Sequence, residues 1–174
     1  MNEVIAALKS RRSSRAYTSE VPSADKIDQV VEAGLWAASA MGRQDPIIVA
    51  VTNKDLRDRL AAMNALIMGS PEGEDPFYGA PVVLVVLAPK NVSTHVYDGS
   101  LVMGSLLLAA HALGLGSCWI HRAKEEFDAP EGKAILSELG VDGDYEGIGH
   151  CILGYAADAP EPEPRREGRV FLAE

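Results

Sequence analysis

Within KSRRSSRAY, residues 9–17, three arginines crowd around two serines over 11–15, in a chain whose formal net charge is −9. Arginine presents a planar fork of donors that matches phosphate oxygens two at a time. Ser13 and Ser14 add hydroxyls beside Arg11, Arg12 and Arg15. A plainer reading stays open to the same residues, because cations at the C-terminal end of a helix over 2–10 complement its dipole. A second basic cluster, Arg165, Arg166 and Arg169, lies near the other terminus, on a segment able to fold back beside the first. Two compact cationic clusters in an acidic chain point to one phosphate-bearing ligand. Nucleic acid is not expected as a partner, since it calls for an extended basic footprint.

Other chemistry is poorly represented. In LGLGSCW (113–119), Gly114 and Gly116 match the first two glycines of a dinucleotide fingerprint, but Trp119 stands where the third belongs. The order there is also helix then strand, the reverse of that motif. Gly114 is read as a helix stop. No serine sits in a G-x-S-x-G turn. Cys118 and Cys151 fall in apolar segments, where thiols pack rather than react. His95, His111, His121 and His150 show no metal-ligand spacing, so no metal is expected. An enzyme without an acid–base pair or nucleophile leaves its chemistry to a bound cofactor.

The elements that must position these residues alternate between helix and strand. Ser23 starts a helix in which Ile27, Val30, Val31, Gly34, Leu35 and Ala38 recur at helical spacing. IIVAVT (47–52) reads as a β-branched strand, and Asn53 caps a helix lined by Leu56, Leu60, Met63 and Ile67. Residues 69–79, rich in Gly and Pro, form a long loop. PVVLVVLA (81–88) has the uninterrupted pattern of a central strand buried on both faces. The helix over 97–113 has almost no polar face, which predicts burial on most sides and a second subunit sharing it. GSCWIH (116–121) and GIGHCILGY (147–155) are strands, with a short helix from Pro130 to Leu139 between them. The whole predicts one α/β (α+β) domain, a central sheet flanked by helices. Its body spans 1–155, and 156–174 is an extended Pro/Glu arm whose apolar end, Val170, Phe171 and Leu172, suits the wrapping of a partner subunit. The amphipathic opening MNEVIAALKS reads as a helix, so no leader peptide is expected, and no apolar run nears the roughly 20 residues of a membrane span. With two unpaired-looking cysteines, a cytoplasmic protein is expected.

Taken in order, four stretches resemble the FMN-dependent nitroreductase family over essentially the whole chain. RRSSRAY (11–17) is similar to its N-terminal Arg-x-Ser-x-Arg/Lys motif, and AASAMGRQDP (37–46) to its Pro-Ser-x-x-Asn-x-Gln-Pro segment. YDGSLVMGSLLLAAHALGLGSCWI (97–120) resembles its interface helix and following strand, and ILGYAADAPEPEPRR (152–166) its closing strand and Pro-Arg-Arg tail. The chain departs from the pattern at Ala38 for Pro, Gly42 for Asn, Asp45-Pro46, which shifts the Gln-Pro pairing, and Glu163 where a basic residue is often found. The resemblance implies a three-layer sandwich with a mixed sheet, and a homodimer with FMN at its interface. Arg11, Arg12 and Ser13 would meet the FMN phosphate and ribityl chain, with Arg165 and Arg166 closing on the phosphate. Arg15 would stand by the N1–O2 edge of the flavin, where a fixed cation stabilises charge arriving with hydride at N5. Ser39, Met41 and Gln44 would come from the other subunit. The backbone of Ile120, His121 and Arg122 would approach the N5–O4 edge, with Asn64 near the polar ring edge. Phe77, Tyr78, Met41 and Gly42 would wall the pocket.

The function expected is electron transfer from NADH or NADPH through the flavin to a small conjugated acceptor, a nitroaromatic, a quinone or similar. The alternatives are a non-catalytic flavin- or nucleotide-binding dimer acting as sensor or carrier, and an interaction protein whose basic clusters are only solvated surface.

Overall fold

The structure, a computed structural model, describes residues 2–71 and 73–173. Helix α1 (Glu3–Ser10) begins where the Asn2 side chain accepts from the Val4 and Ile5 amides. Helix α2 (Ala24–Leu35) starts on Ser23 and turns Ile27, Val30 and Gly34 inward. Strand β1 (Ile47–Val51) leads to α3 (Lys54–Met68), whose first turn is closed by Asn53 Oδ1 accepting from the Leu56 amide at 2.9 Å. Asn53→Ala is expected to cost about 1 kcal/mol and to lower Tm by roughly 2–4 °C in a chain of this size. Thermal melts of the two proteins check this.

Strand β2 (Val82–Pro89) is the buried centre of the sheet. It pairs with β1 on one side and β4 (Tyr145–Gly154) on the other, and β3 (Gly116–Ile120) completes the order β1-β2-β4-β3. These pairings are all antiparallel, so the four-stranded sheet is antiparallel where a mixed one is expected, and the parallel contact is an isolated bridge between Ser13 and Ser117 outside the strands. Helix α4 (His95–Ala112) precedes β3, while α5 (Ala123–Asp128) and α6 (Pro130–Glu138) separate β3 from β4. Alternation along β2 divides its side chains between two cores. Val83, Val85 and Leu87 pack with Leu60 and Met63 of α3, Phe127 of α5 and Ile135 of α6. Val82, Leu84 and Val86 pack with Val30 of α2 and with Met103 and Leu106 of α4. The result is the three-layer α+β sandwich that the sequence predicts.

Local differences have physical causes. α5 has six residues, too short to show a helical period, and the sequence reading misses it. Leu35 ends α2 on its open side and is 55 % exposed, and Ile67 on the last turn of α3 is also exposed. α4 buries Val102, Met103, Leu106 and Ala110 against the sheet but leaves Val96, Tyr97 and Leu101 in the open, so within one chain it is covered on one side. Gly114 does close α4, with φ +74° and its amide donating to the His111 carbonyl at 3.1 Å. Phe77 points into the core and is fully buried, which leaves only its neighbour Tyr78 able to wall a pocket. Among the described residues, no helix is long and apolar enough to cross a membrane.

Candidate functional site

The arginine–serine segment leaves α1 in extended form and lies along the open edge of β3. The Ser14 amide donates to the Ser117 carbonyl at 3.1 Å, and the Ala157 amide donates to the Ala16 carbonyl at 2.8 Å. A Cβ at position 116 would lie 2.9 Å from Ser14 Oγ and 2.8 Å from Ala156 Cβ, so Gly116 permits this docking. Asp158, which the sequence reading did not single out, accepts the Arg15 amide at 2.7 Å on Oδ2. Three segments far apart in sequence, 11–17, 116–120 and 155–158, thus form one wall.

Two cavities flank that wall. One, of about 230 Å³, is lined by Arg15, Tyr78, Ile120, His121 and Arg122 and closed by Met68 and the 74–76 loop. The other, of about 430 Å³, holds Arg12, Ser14, Ser10 and His111. Side chains of an extended segment alternate in direction, which divides Arg15 from Arg12 and Ser14. Four of the predicted residues, Arg15, Ile120, His121 and Arg122, therefore share one pocket.

The arginines are unequally engaged. Arg12 Nη1 donates to the Lys9 carbonyl at 2.8 Å and to the Arg11 carbonyl at 2.7 Å, so Arg12 caps the end of α1. Both readings of the cluster therefore apply to it, because Arg12 Nε and Arg11 Nη1 are buried with no partner. A buried guanidinium nitrogen without an acceptor is costly, and an anion would satisfy it. Ser13, the next residue, is held by its bridge to Ser117. Arg165 and Arg166 are exposed and line neither cavity.

Ser39, Met41 and Gln44 sit on a turn outside both cavities. Ser39 Oγ accepts the Gln44 amide at 2.9 Å, and buried Asp98 of α4 accepts the Ala40 amide at 2.9 Å and the Thr94 hydroxyl at 2.8 Å. Met41 and Gln44 both have φ +58°, and Met41 is 87 % exposed. Left-handed backbone at such residues costs of order 1–3 kcal/mol each and persists where its surroundings hold it. Asp98 supplies that hold.

Asn64 is fully buried under the small cavity, and its amide is bonded to the His121 carbonyl, Glu126 and Arg122. Cys118 borders the same cavity, and Cys151 lies wholly inside the sheet. Burial pushes the Cys151 thiol from its ordinary 9.0 up to about 12, with Cys118 adding to the shift. Burial also raises the Tyr17 phenol, whose hydroxyl donates to the Ser14 carbonyl. In the unfolded chain the thiol ionises at its ordinary value, so its contribution is full below pH 9 and is lost as pH rises towards 12. Denaturant midpoints are expected to decline across that window, and a profile still level at its upper end would contradict the burial argument. Among the described residues, no group of three or more His, Cys, Asp or Glu is placed to hold a metal ion.

Comparison with known proteins adds a family to this geometry. The profile of the nitroreductase family matches residues 8–155. The chain belongs to the nitroreductase family. A solved nitroreductase from Bacteroides fragilis, described with bound FMN, is 29% identical, superposes with a TM-score of 0.90 and is covered in full, as is this chain. The FMN reductase [NAD(P)H] of Bacillus subtilis is 27% identical over 195 residues, 95% of this chain and 70% of that protein. A protein of Methanothermobacter thermautotrophicus, provisionally named NADH dehydrogenase/NAD(P)H nitroreductase, is 28% identical over 121 residues, 67% of this chain. The match spans only 60% of that archaeal relative's length. The nitroreductase match takes in the arginine–serine segment and β3, two of the three segments that build the wall, together with the 37–46 turn that lies outside the cavities.

Proposed function

We propose that this nitroreductase-family chain is an FMN-dependent oxidoreductase that passes electrons from NADH or NADPH to a small conjugated acceptor, a nitroaromatic, a quinone or similar. The observation that carries the reading is the pair of buried, unpartnered guanidinium nitrogens, Arg11 Nη1 and Arg12 Nε, beside a second pocket lined by Arg15. A phosphate and a planar electron-accepting ring on one ligand suit such a pair of features. When bound, FMN supplies the redox chemistry, taking hydride from the nicotinamide and releasing electrons to the acceptor.

The protein's part is binding, orientation and charge. Arg11, Arg12 and Ser13 hold the phosphate and ribityl chain, and Arg165 and Arg166 close on the phosphate from the 156–174 arm. Arg15 keeps a guanidinium at the N1–O2 edge of the ring, where negative charge collects during reduction. The backbone of Ile120, His121 and Arg122 meets the N5–O4 edge, and Tyr78 walls the acceptor side.

We further propose a homodimer with a body of 1–155 and an arm that embraces the partner. Its support is the exposed apolar surface of one chain: Trp36 and Met41, Tyr97 and Leu101 of α4, and Val170, Phe171 and Leu172 at the arm's end. Ser39, Met41 and Gln44, directed away from their own chain's cavities, then reach the partner's flavin.

Anaerobic reduction tests the reading. The purified protein is expected to carry the flavin absorbance, to lose it with NADH or NADPH, and to regain it on adding a nitroaromatic or quinone. A colourless protein that FMN cannot reconstitute would overturn the proposal.

A further inference from the structure

Three ionisable or amide side chains lie in a line beneath the small cavity. His150 of β4, Glu126 of α5 and Asn64 of α3 are all fully buried. His150 Nε2 lies 3.0 Å from Glu126 Oε2, and Glu126 Oε1 accepts from Asn64 Nδ2 at 2.5 Å. Asn64 Nδ2 also donates to the His121 carbonyl at 2.9 Å, and Asn64 Oδ1 accepts from Arg122 Nε at 2.9 Å. The chain of bonds thus runs from the centre of the sheet to two of the residues that line the cavity, His121 and Arg122.

One of those residues, Arg122, is held in an unfavourable backbone shape. Arg122 has φ +77° and precedes α5 with no side-chain cap, so nothing local explains its conformation. α5 itself is seated by Gly147, where a Cβ would lie 2.2 Å from the Ala123 carbonyl oxygen. The buried His150–Glu126 contact is weak evidence for stability, because desolvation offsets the attraction. It does contribute position. Arg122 Nε can only donate and the His121 carbonyl can only accept, so the Asn64 amide turns Oδ1 to Arg122 and Nδ2 to that carbonyl. Glu126 Oε1 takes the other N–H of Nδ2 and holds the amide in place. His150 in turn holds Glu126, with its ring 5.2 Å from that of Phe77.

We propose that Glu126, clamped by His150, is a positioning residue that acts through Asn64 to fix the His121–Arg122 turn for the ring edge of the bound flavin. The inference rests on the flavin reading above. It adds a specific remote determinant of how that ring is held.

The test compares Glu126→Ala with Glu126→Gln in the full chain. Glutamine keeps an oxygen for Asn64 Nδ2 and offers an N–H that His150 Nε2 accepts in the Nδ1–H tautomer, so it is expected to preserve the turn. Alanine is expected to weaken FMN binding tenfold or more in fluorescence titrations and to shift the flavin absorbance maximum and midpoint potential. The double variant Glu126→Ala/Asn64→Ala should bind FMN no worse than Asn64→Ala alone, since the two act in series. A lowered Tm with wild-type affinity and potential in the folded protein would reduce the network to packing and overturn the proposal. So would additive losses. Amide exchange at residues 121–123 of FMN-free protein separates this proposal from the flavin reading: it should quicken in Glu126→Ala and not in Glu126→Gln, whether or not FMN binds. Should Glu126→Ala not fold, Arg122→Ala cuts the last bond at a half-exposed position, and unchanged exchange there would count against the turn being held through Asn64.

Discussion

Arg15→Ala is expected to slow flavin reduction on the order of 10²–10³-fold, the usual cost of deleting one preorganised donor from a site of charge development. The reason lies in how the residue is held. Its amide is pinned to Asp158 at 2.7 Å and its side chain lines the small cavity with Ile120, His121 and Arg122. The backbone bond survives truncation, so the wall between the 11–17 segment and β3 stays in place. FMN retention should therefore fall far less than the rate of reduction. Anaerobic stopped-flow with the fully loaded variant checks both quantities, and normal reduction would remove Arg15 from the chemistry.

Arg11→Ala is expected to have the opposite signature. Arg11 Nη1 is buried without an acceptor, so a phosphate oxygen arriving there gains a charge-assisted bond and relieves an unsatisfied donor. Hydrogen bonds to charged groups contribute about 1.5–3 kcal/mol, so the FMN Kd should rise roughly ten- to a hundredfold while reduction of the saturated variant stays near normal. Arg12→Ala should weaken FMN less and lower Tm more, because Nη1 of Arg12 is already committed to the carbonyls of Lys9 and Arg11. Equal effects of the two substitutions on Kd would contradict this division of labour. Arg11→Lys separates charge from geometry, since an ammonium keeps the first and loses the planar fork.

These two arginines show how far the residues could be interpreted before folding. The sequence identifies the cluster and its anion chemistry, and the family resemblance separates Arg15 from the rest. It does not show that Arg12 spends one nitrogen on capping α1, because that depends on where the helix stops and the chain turns. Phe77 and Tyr78 are adjacent in one loop and equally aromatic, yet one is core and the other cavity wall. The loop's bonds decide between them: Asp75 accepts the Phe77 and Gly79 amides, and Arg57 bonds both Asp75 and the Ala80 carbonyl.

What the sequence by itself determined is periodic or local. The β2 core strand, the caps at Ser23 and Asn53, the stop at Gly114 and the family's motifs depend on neighbours within a few residues. They are therefore written in spacing. What only the tertiary structure decided is long-range: the docking of 11–17 on β3, the Asp158 and Asp98 anchors, and the line from His150 through Glu126 and Asn64 to Arg122. Each of those joins residues tens of positions apart or more, through single hydrogen bonds that leave no period in the chain. Burial gives such bonds their strength, and burial exists only once both cores have formed around the sheet.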